Sequence, residues 1–149
     1  MNILHPVSSI MTPNPVCIGA NESLAVAAKL FKDNKIHHLP VLAEGDLVGI
    51  ISRSDFLFFK RGFTNNEGEK IEEDVRLNNY LAKDIMTTKL GKLEANDRIN
   101  VALEVFKENL FHAIPVVDGK RIVGIVTTFD IIKRLAIDAE THASYDTKG

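Results

Sequence analysis

A chain of 149 residues with a formal net charge of −2 at pH 7 and a pI of about 6.2 has no general attraction for nucleic acid or an anionic membrane surface. Apolar residues make up 45% and charged residues 26%, a balance that builds a folded core and excludes a disordered chain. Aromatic residues are few, eight Phe and two Tyr without Trp, so no base-stacking stripe is advertised.

The opening residues MNILHPVSSIM carry no basic start followed by a long apolar stretch, which predicts no signal peptide. No run approaches the length of a membrane span. Cys17 is the only cysteine, so no disulfide can form within the chain, and a cytoplasmic setting is expected.

A short extended stretch is predicted near Val16–Ile18. Asn21, a suitable N-cap, then precedes ESLAVAAKLFKDN, where Leu24, Ala27, Ala28 and Phe31 form an apolar face at helical spacing. Two β-branched runs follow, LPVL and LVGIIS, joined by a glycine turn at AEGD. Ser52-Arg53-Ser54-Asp55 opens a second helix with Phe56 and Phe59 as buried candidates. The stretch 62–80 is polar, with five acidic and two basic residues, and its first half reads as a flexible surface connection.

The same order then returns. Residues 10–55 align without a gap to 85–130, with 17 of 46 positions identical, where about three would match by chance; duplication accounts for this. An extended stretch at Leu90–Leu93 leads to Asn96 and DRINVALEVFKENL, with Ile99, Ala102, Leu103, Phe106 and Leu110 on the predicted buried side. IPVV and IVGIVT flank the turn DGKR, and Thr127-Thr128-Phe129-Asp130 opens a last helix with Ile131 and Leu135 inward. The final THASYDTKG is expected to fray.

The expected fold is α/β in the α+β sense. It consists of two αββα repeats, each too small to fold well alone, packed face to face with pseudo-twofold symmetry and leaving two similar crevices. The boundaries are 5–60 for the first repeat, 61–79 for a linker, 80–137 for the second repeat and 138–149 for a flexible tail.

The paired I-M-T, N-x-x-H-x-[LI]-P-V and [VI]-G-I-[IV]-[ST]-x-x-D motifs resemble a tandem CBS-domain pair, or Bateman module, over nearly the whole chain. The resemblance implies a regulatory small-molecule sensor and not an enzyme. It implies an adenosine-containing ligand (AMP, ADP, ATP or S-adenosylmethionine) in the crevices, and no resident cofactor. One crevice would join the backbone near Ile18–Ala20, with Ile36, His37 and Pro40, to Ile125, Thr127 and Asp130. The other would join the backbone near Leu93–Ala95, with Phe111, His112 and Pro115, to Ile50, Ser52 and Asp55. The Asp would accept ribose hydroxyls and the Ser or Thr would sit by the phosphates. A homodimer and a separate effector protein are further expectations, since no catalytic, channel or transporter domain is attached.

Read without the resemblance, Ser52-x-x-Asp55 and Thr127-x-x-Asp130 are N-capping arrangements. That role is compatible with a bound anion, because helix N-termini attract anions. A carboxylate accepts two hydroxyl hydrogen bonds but repels phosphate, so a phosphorylated ligand needs cations nearby. Lys29, Lys35, Arg53, Lys120, Arg121, Lys133 and Arg134 are candidates, and Arg53, inside the first motif and replaced by Thr128 in the second, is the preferred one. His37 and His38 are adjacent and point to opposite sides of a strand. With one Cys and no H-x-x-x-H, no zinc site is expected. A histidine beside a phosphate would make binding weaken as pH rises through the imidazole range; an ordinary interface histidine would not. Cys17 reads as buried packing, and no nucleophile elbow or phosphate-cradling glycine loop is present. The alternatives to ligand sensing are an oligomerisation module without nucleotide and a nucleic-acid-binding protein.

Overall fold

The computed structural model describes residues 1–62, 69–108 and 110–146. In chain order its elements are a 3-10 turn (Val7–Ser9), β1 (Thr12–Pro13), β2 (Ile18–Gly19), α1 (Leu24–Asp33), β3 (His38–Ala43), β4 (Asp46–Ser52), α2 (Arg53–Arg61), α3 (Glu69–Asn79), α4 (Ala82–Ile85), β5 (Leu93–Glu94), α5 (Ile99–Lys107), β6 (Ala113–Asp118), β7 (Arg121–Thr127) and α6 (Thr128–Asp146). The expected βαββα-like order is present twice. The first half of the connecting segment, repeat position Asn109 and residues 147–149 lie outside the described residues.

The chain divides into two compact units, Pro15–Leu90 and Met1–Asn14 joined by Gly91–Gly149. In the first, β2 runs parallel to β3 and β3 antiparallel to β4. Ile18, Leu24, Leu39, Val41 and Ile51 are closed off from solvent between this sheet and α1 and α2. The Phe31 and Phe56 rings meet there at 5.4 Å. In the second unit the sheet order is β1-β7-β6-β5. Val7, Ile99, Ile114, Val116 and Val126 are buried within it.

Both hairpins close as their glycines predict, but by different turns. Glu44 and Gly45 both take positive φ (52° and 84°), the mirror-image turn that suits the strand twist. At the matching place Gly119 alone has φ 65°. Each β3- or β6-type strand also shifts register once, at Val41/Leu42 and Val116/Val117.

Helix starts depart from expectation. α1 begins after Ser23 and α5 after Arg98, neither with a side-chain cap, so Asn21 and Asn96 are not N-caps. The acidic residue beside each Asn closes the preceding turn instead: Gly19 N–H donates to Glu22 at 2.7 Å and Glu94 N–H to Asp97 at 2.8 Å. The first helical N–H groups find backbone carbonyls, Leu24 on Tyr80 at 2.8 Å and Ile99 on His5 at 2.9 Å, which satisfies donors a side chain would otherwise serve.

Those two bonds belong to a systematic exchange. The segment before each sequence repeat completes the other repeat's unit. Val7 and Ser8 donate to Asp97 and Ala95, while Ala82 and Lys83 donate to Glu22 and Ala20. Thr12 pairs with Ile125 in β7, and Thr87 bridges Ile50 in β4. Gly124 and Gly49 leave room for Met11 and Met86 respectively, since a Cβ on either glycine would strike the methionine side chain.

Two expected core residues are exposed. Leu110 is 75% exposed because α5 stops at Lys107, before reaching it. Leu135 is 48% exposed. Its counterpart Lys60 is bonded to Glu73 of α3 at 3.3 Å, and among the described residues the second unit has no helix corresponding to α3. Leu77 of α3 and Phe56 are buried in the first unit, whereas Phe58 is 81% exposed.

Candidate functional site

Each unit builds the same corner at the end of its hairpin. Ser52, the last residue of β4, caps α2 by accepting the Asp55 N–H at 3.1 Å. In the second unit the box is reciprocal: Asp130 N–H donates to Thr127 Oγ1 at 3.1 Å and Thr127 N–H donates to Asp130 Oδ2 at 2.9 Å. The sequence-level capping arrangement is therefore present in both. The Arg53 N–H donates to the His37 carbonyl at 2.7 Å, and Thr128 N–H to the His112 carbonyl at 3.1 Å. Each histidine segment is thus tied to the start of the helix in its own unit.

The expected site residues divide by unit. Pro15–Leu90 holds Ile18, Ala20, Ile36, His37, Pro40, Ile50, Ser52, Arg53 and Asp55; the other holds Leu93, Ala95, Phe111, His112, Pro115, Ile125, Thr127 and Asp130. Ile18, Ala20, Pro40, Leu93, Pro115 and Ile125 are buried, so their side chains serve packing. His37 and His112 are exposed, Asp55 is exposed and Asp130 half-buried.

Two hollows lie beside these corners. The first, of about 290 Å³, is walled by Ser9–Pro13 on one side and by Asp130, Lys133, Arg134 and Ile137 of α6 on the other. Of its lining, Ser9–Pro13 and Ile137 are additions to the expected site; the repetition of Ile10-Met11-Thr12 is the signal that could have pointed to that wall. The second hollow, about 590 Å³, lies between α1 and α2, where Lys29, Lys32, Arg53 and Lys60 surround Phe31, Phe56 and Leu57. Arg53 therefore lines a hollow that Asp55 does not.

Among the described residues no three His, Cys, Asp or Glu side chains are grouped to hold a metal ion, and no helix is long and apolar enough to cross a membrane. Cys17 is half-buried, its thiol donating to the Pro15 carbonyl at 3.2 Å. Burial pushes its pKa up, the opposite of a reactive thiolate.

Each unit therefore sets a hydroxyl and a carboxylate at a helix start beside a histidine-bearing loop. The chain belongs to the CBS-domain family, whose model matches residues 7–62 and again 82–137. This is a regulatory, non-catalytic family. Over 150 residues the chain is 35% identical to the uncharacterized protein MJ1404 of Methanocaldococcus jannaschii, covering 94% of this chain but only 36% of that longer relative. Among solved structures it resembles the CBS-domain pair of protein MJ0100 in complex with 5-methylthioadenosine and S-adenosyl-L-methionine. That match has a TM-score of 0.70, 26% identity, and coverage of 91% of this chain and 98% of that one. It also resembles CBSX2 in complex with AMP, with a TM-score of 0.71, 25% identity, and coverage of 91% and 98%; CBSX2 comes from Arabidopsis thaliana.

Proposed function

We propose that this protein is a regulatory sensor of an adenosine-containing ligand. The observation that carries the reading is the repeated [ST]-x-x-D corner, intact and capped in both units, in a chain whose structural relatives include complexes with AMP and with S-adenosyl-L-methionine. A carboxylate at such a corner accepts both hydroxyls of a ribose without any proton transfer. Backbone near Ile18–Ala20 and Leu93–Ala95, with His37 and His112, would supply the remaining contacts. Regulation follows if the ligand binds one arrangement of the protein more tightly than another.

The same reading includes a cytoplasmic homodimer acting on a separate effector. Phe58 in one unit, 81% exposed, and Phe129 and Ile132 in the other, 68% and 61% exposed, favour a second copy as the cover for these apolar side chains.

Thermal unfolding with AMP, ADP, ATP, S-adenosylmethionine and NAD tests the function. At a hundredfold excess over Kd a ligand adds about 2.7 kcal/mol of stability, so at least one adenosyl compound raises Tm by several degrees. A panel with no stabilisation would leave the oligomerisation module as the better account.

A further inference from the structure

We infer that the hollow beside Asp130 selects a phosphorylated ligand, with Lys133 and Arg134 as its anion-holding residues; this rests on the adenosyl reading above and adds the charge of the guest. Asp130 stands at the first turn of α6, and Lys133 and Arg134 follow at i+3 and i+4, so all three share one face and all three line the hollow. The cations lie about 5 Å further along the helix axis, a span comparable to that between a ribose diol and its 5′-phosphate. A phosphate repelled by the carboxylate therefore meets positive charge at the far end of the same wall.

Neither cation is consumed by Asp130: among the described residues, no ion pair joins them to it. Arg134 contacts Asp138 through Nε at 3.5 Å, and its planar fork carries further donors suited to phosphate.

The other repeat shows what the wall looks like without this function. At the positions of Lys133 and Arg134 it has Phe58 and Phe59, and at the position of Ser9 it has Asp84. Phe59 packs on Tyr80 at 5.3 Å, and the Asp84 carboxylate accepts the Leu81 N–H at 2.7 Å. By repeat position, then, a carboxylate and two aromatic rings on the Asp55 side stand for the Ser9 hydroxyl and the two cations that line the Asp130 hollow. Such a wall suits an uncharged or cationic adenosyl group and disfavours a phosphate. The cations near Asp55 in sequence do not restore the balance, since Arg53 lines the separate hollow with Lys29 and Lys32.

The test is equilibrium titration of the full chain with adenosine and with AMP, in wild type and in the double variant Lys133→Ala/Arg134→Ala. The wild type binds AMP more tightly than adenosine by about tenfold or more, the scale of a charge-assisted contact. In the double variant this ratio collapses toward one while adenosine affinity stays within about twofold. Lys133→Arg/Arg134→Lys preserves the ratio, which a merely structural role for these exposed side chains would not require. An unchanged AMP-to-adenosine ratio in the double variant, with adenosine still bound, overturns the inference and leaves the adenosyl reading standing. Failure of folded wild type to bind either compound overturns both.

Discussion

Val7 donates its N–H to the Asp97 carbonyl at 2.7 Å and is itself fully buried, in the core of the second repeat. Its counterpart Ala82 does the same for the first repeat, donating to Glu22 at 2.8 Å and lying fully buried there. The two units thus depend on segments that precede the opposite repeats in the chain. Val7→Ala is expected to cost about 2 kcal/mol, read as a lower urea midpoint. An unchanged midpoint would place Val7 outside the core.

Gly124 and Gly49 are the places where the exchanged segments press closest on the sheets. A Cβ at Gly124 would meet both Met11 and, at 3.1 Å, the backbone carbonyl of Thr12; at Gly49 the three nearest atoms all belong to the Met86 side chain. A side chain can turn aside and a paired strand cannot. Gly124→Ala should therefore destabilise by about 1–3 kcal/mol, and Gly49→Ala by less. Equal melting temperatures for the two variants would contradict this ordering.

The duplication, both hairpins and both corner motifs were legible in the sequence because each has a local signature: alternating β-branched residues, a turn glycine, a hydroxyl three positions before an acid. The helix starts were not, since Tyr80 and His5 supply the carbonyls that Asn21 and Asn96 were expected to replace, and a backbone partner from a distant segment has no residue code. α3 was hidden for a related reason. Its Glu73 is 6% exposed and bonded to Lys60, so an acidic stretch that reads as solvated in fact buries a charge by pairing it.

The capping corners should differ in strength. Thr127 and Asp130 bond reciprocally, whereas Ser52 serves Asp55 in one direction only among the described residues. Thr127→Ala is expected to lose about 1 kcal/mol or slightly more, and Ser52→Ala less, by denaturant titration. A larger loss at Ser52 would show that the reciprocal bond adds nothing.

Cys17 should react slowly. Burial raises its pKa, so at pH 8 a smaller fraction is thiolate than in an unfolded chain, and alkylation by iodoacetamide lags behind that of free cysteine. The linkage has a definite sign. The unfolded chain releases the proton first, so this stabilising contribution is complete below the unfolded thiol pKa and is lost as pH rises through the folded value. Cys17→Ser should flatten that alkaline decline; alkylation as fast as in urea would contradict the burial.

The most direct measurement is calorimetric titration of the wild type, Asp55→Asn, Asp130→Asn and the double variant with AMP and S-adenosylmethionine. An Asn can still accept the capping N–H, so the corners persist while the charged acceptor for ribose is gone. Saturable binding by the wild type, weakened about tenfold or more by at least one substitution and abolished in the pair, is the predicted result. Four proteins with identical isotherms, or a folded wild type that binds neither compound, would contradict the account.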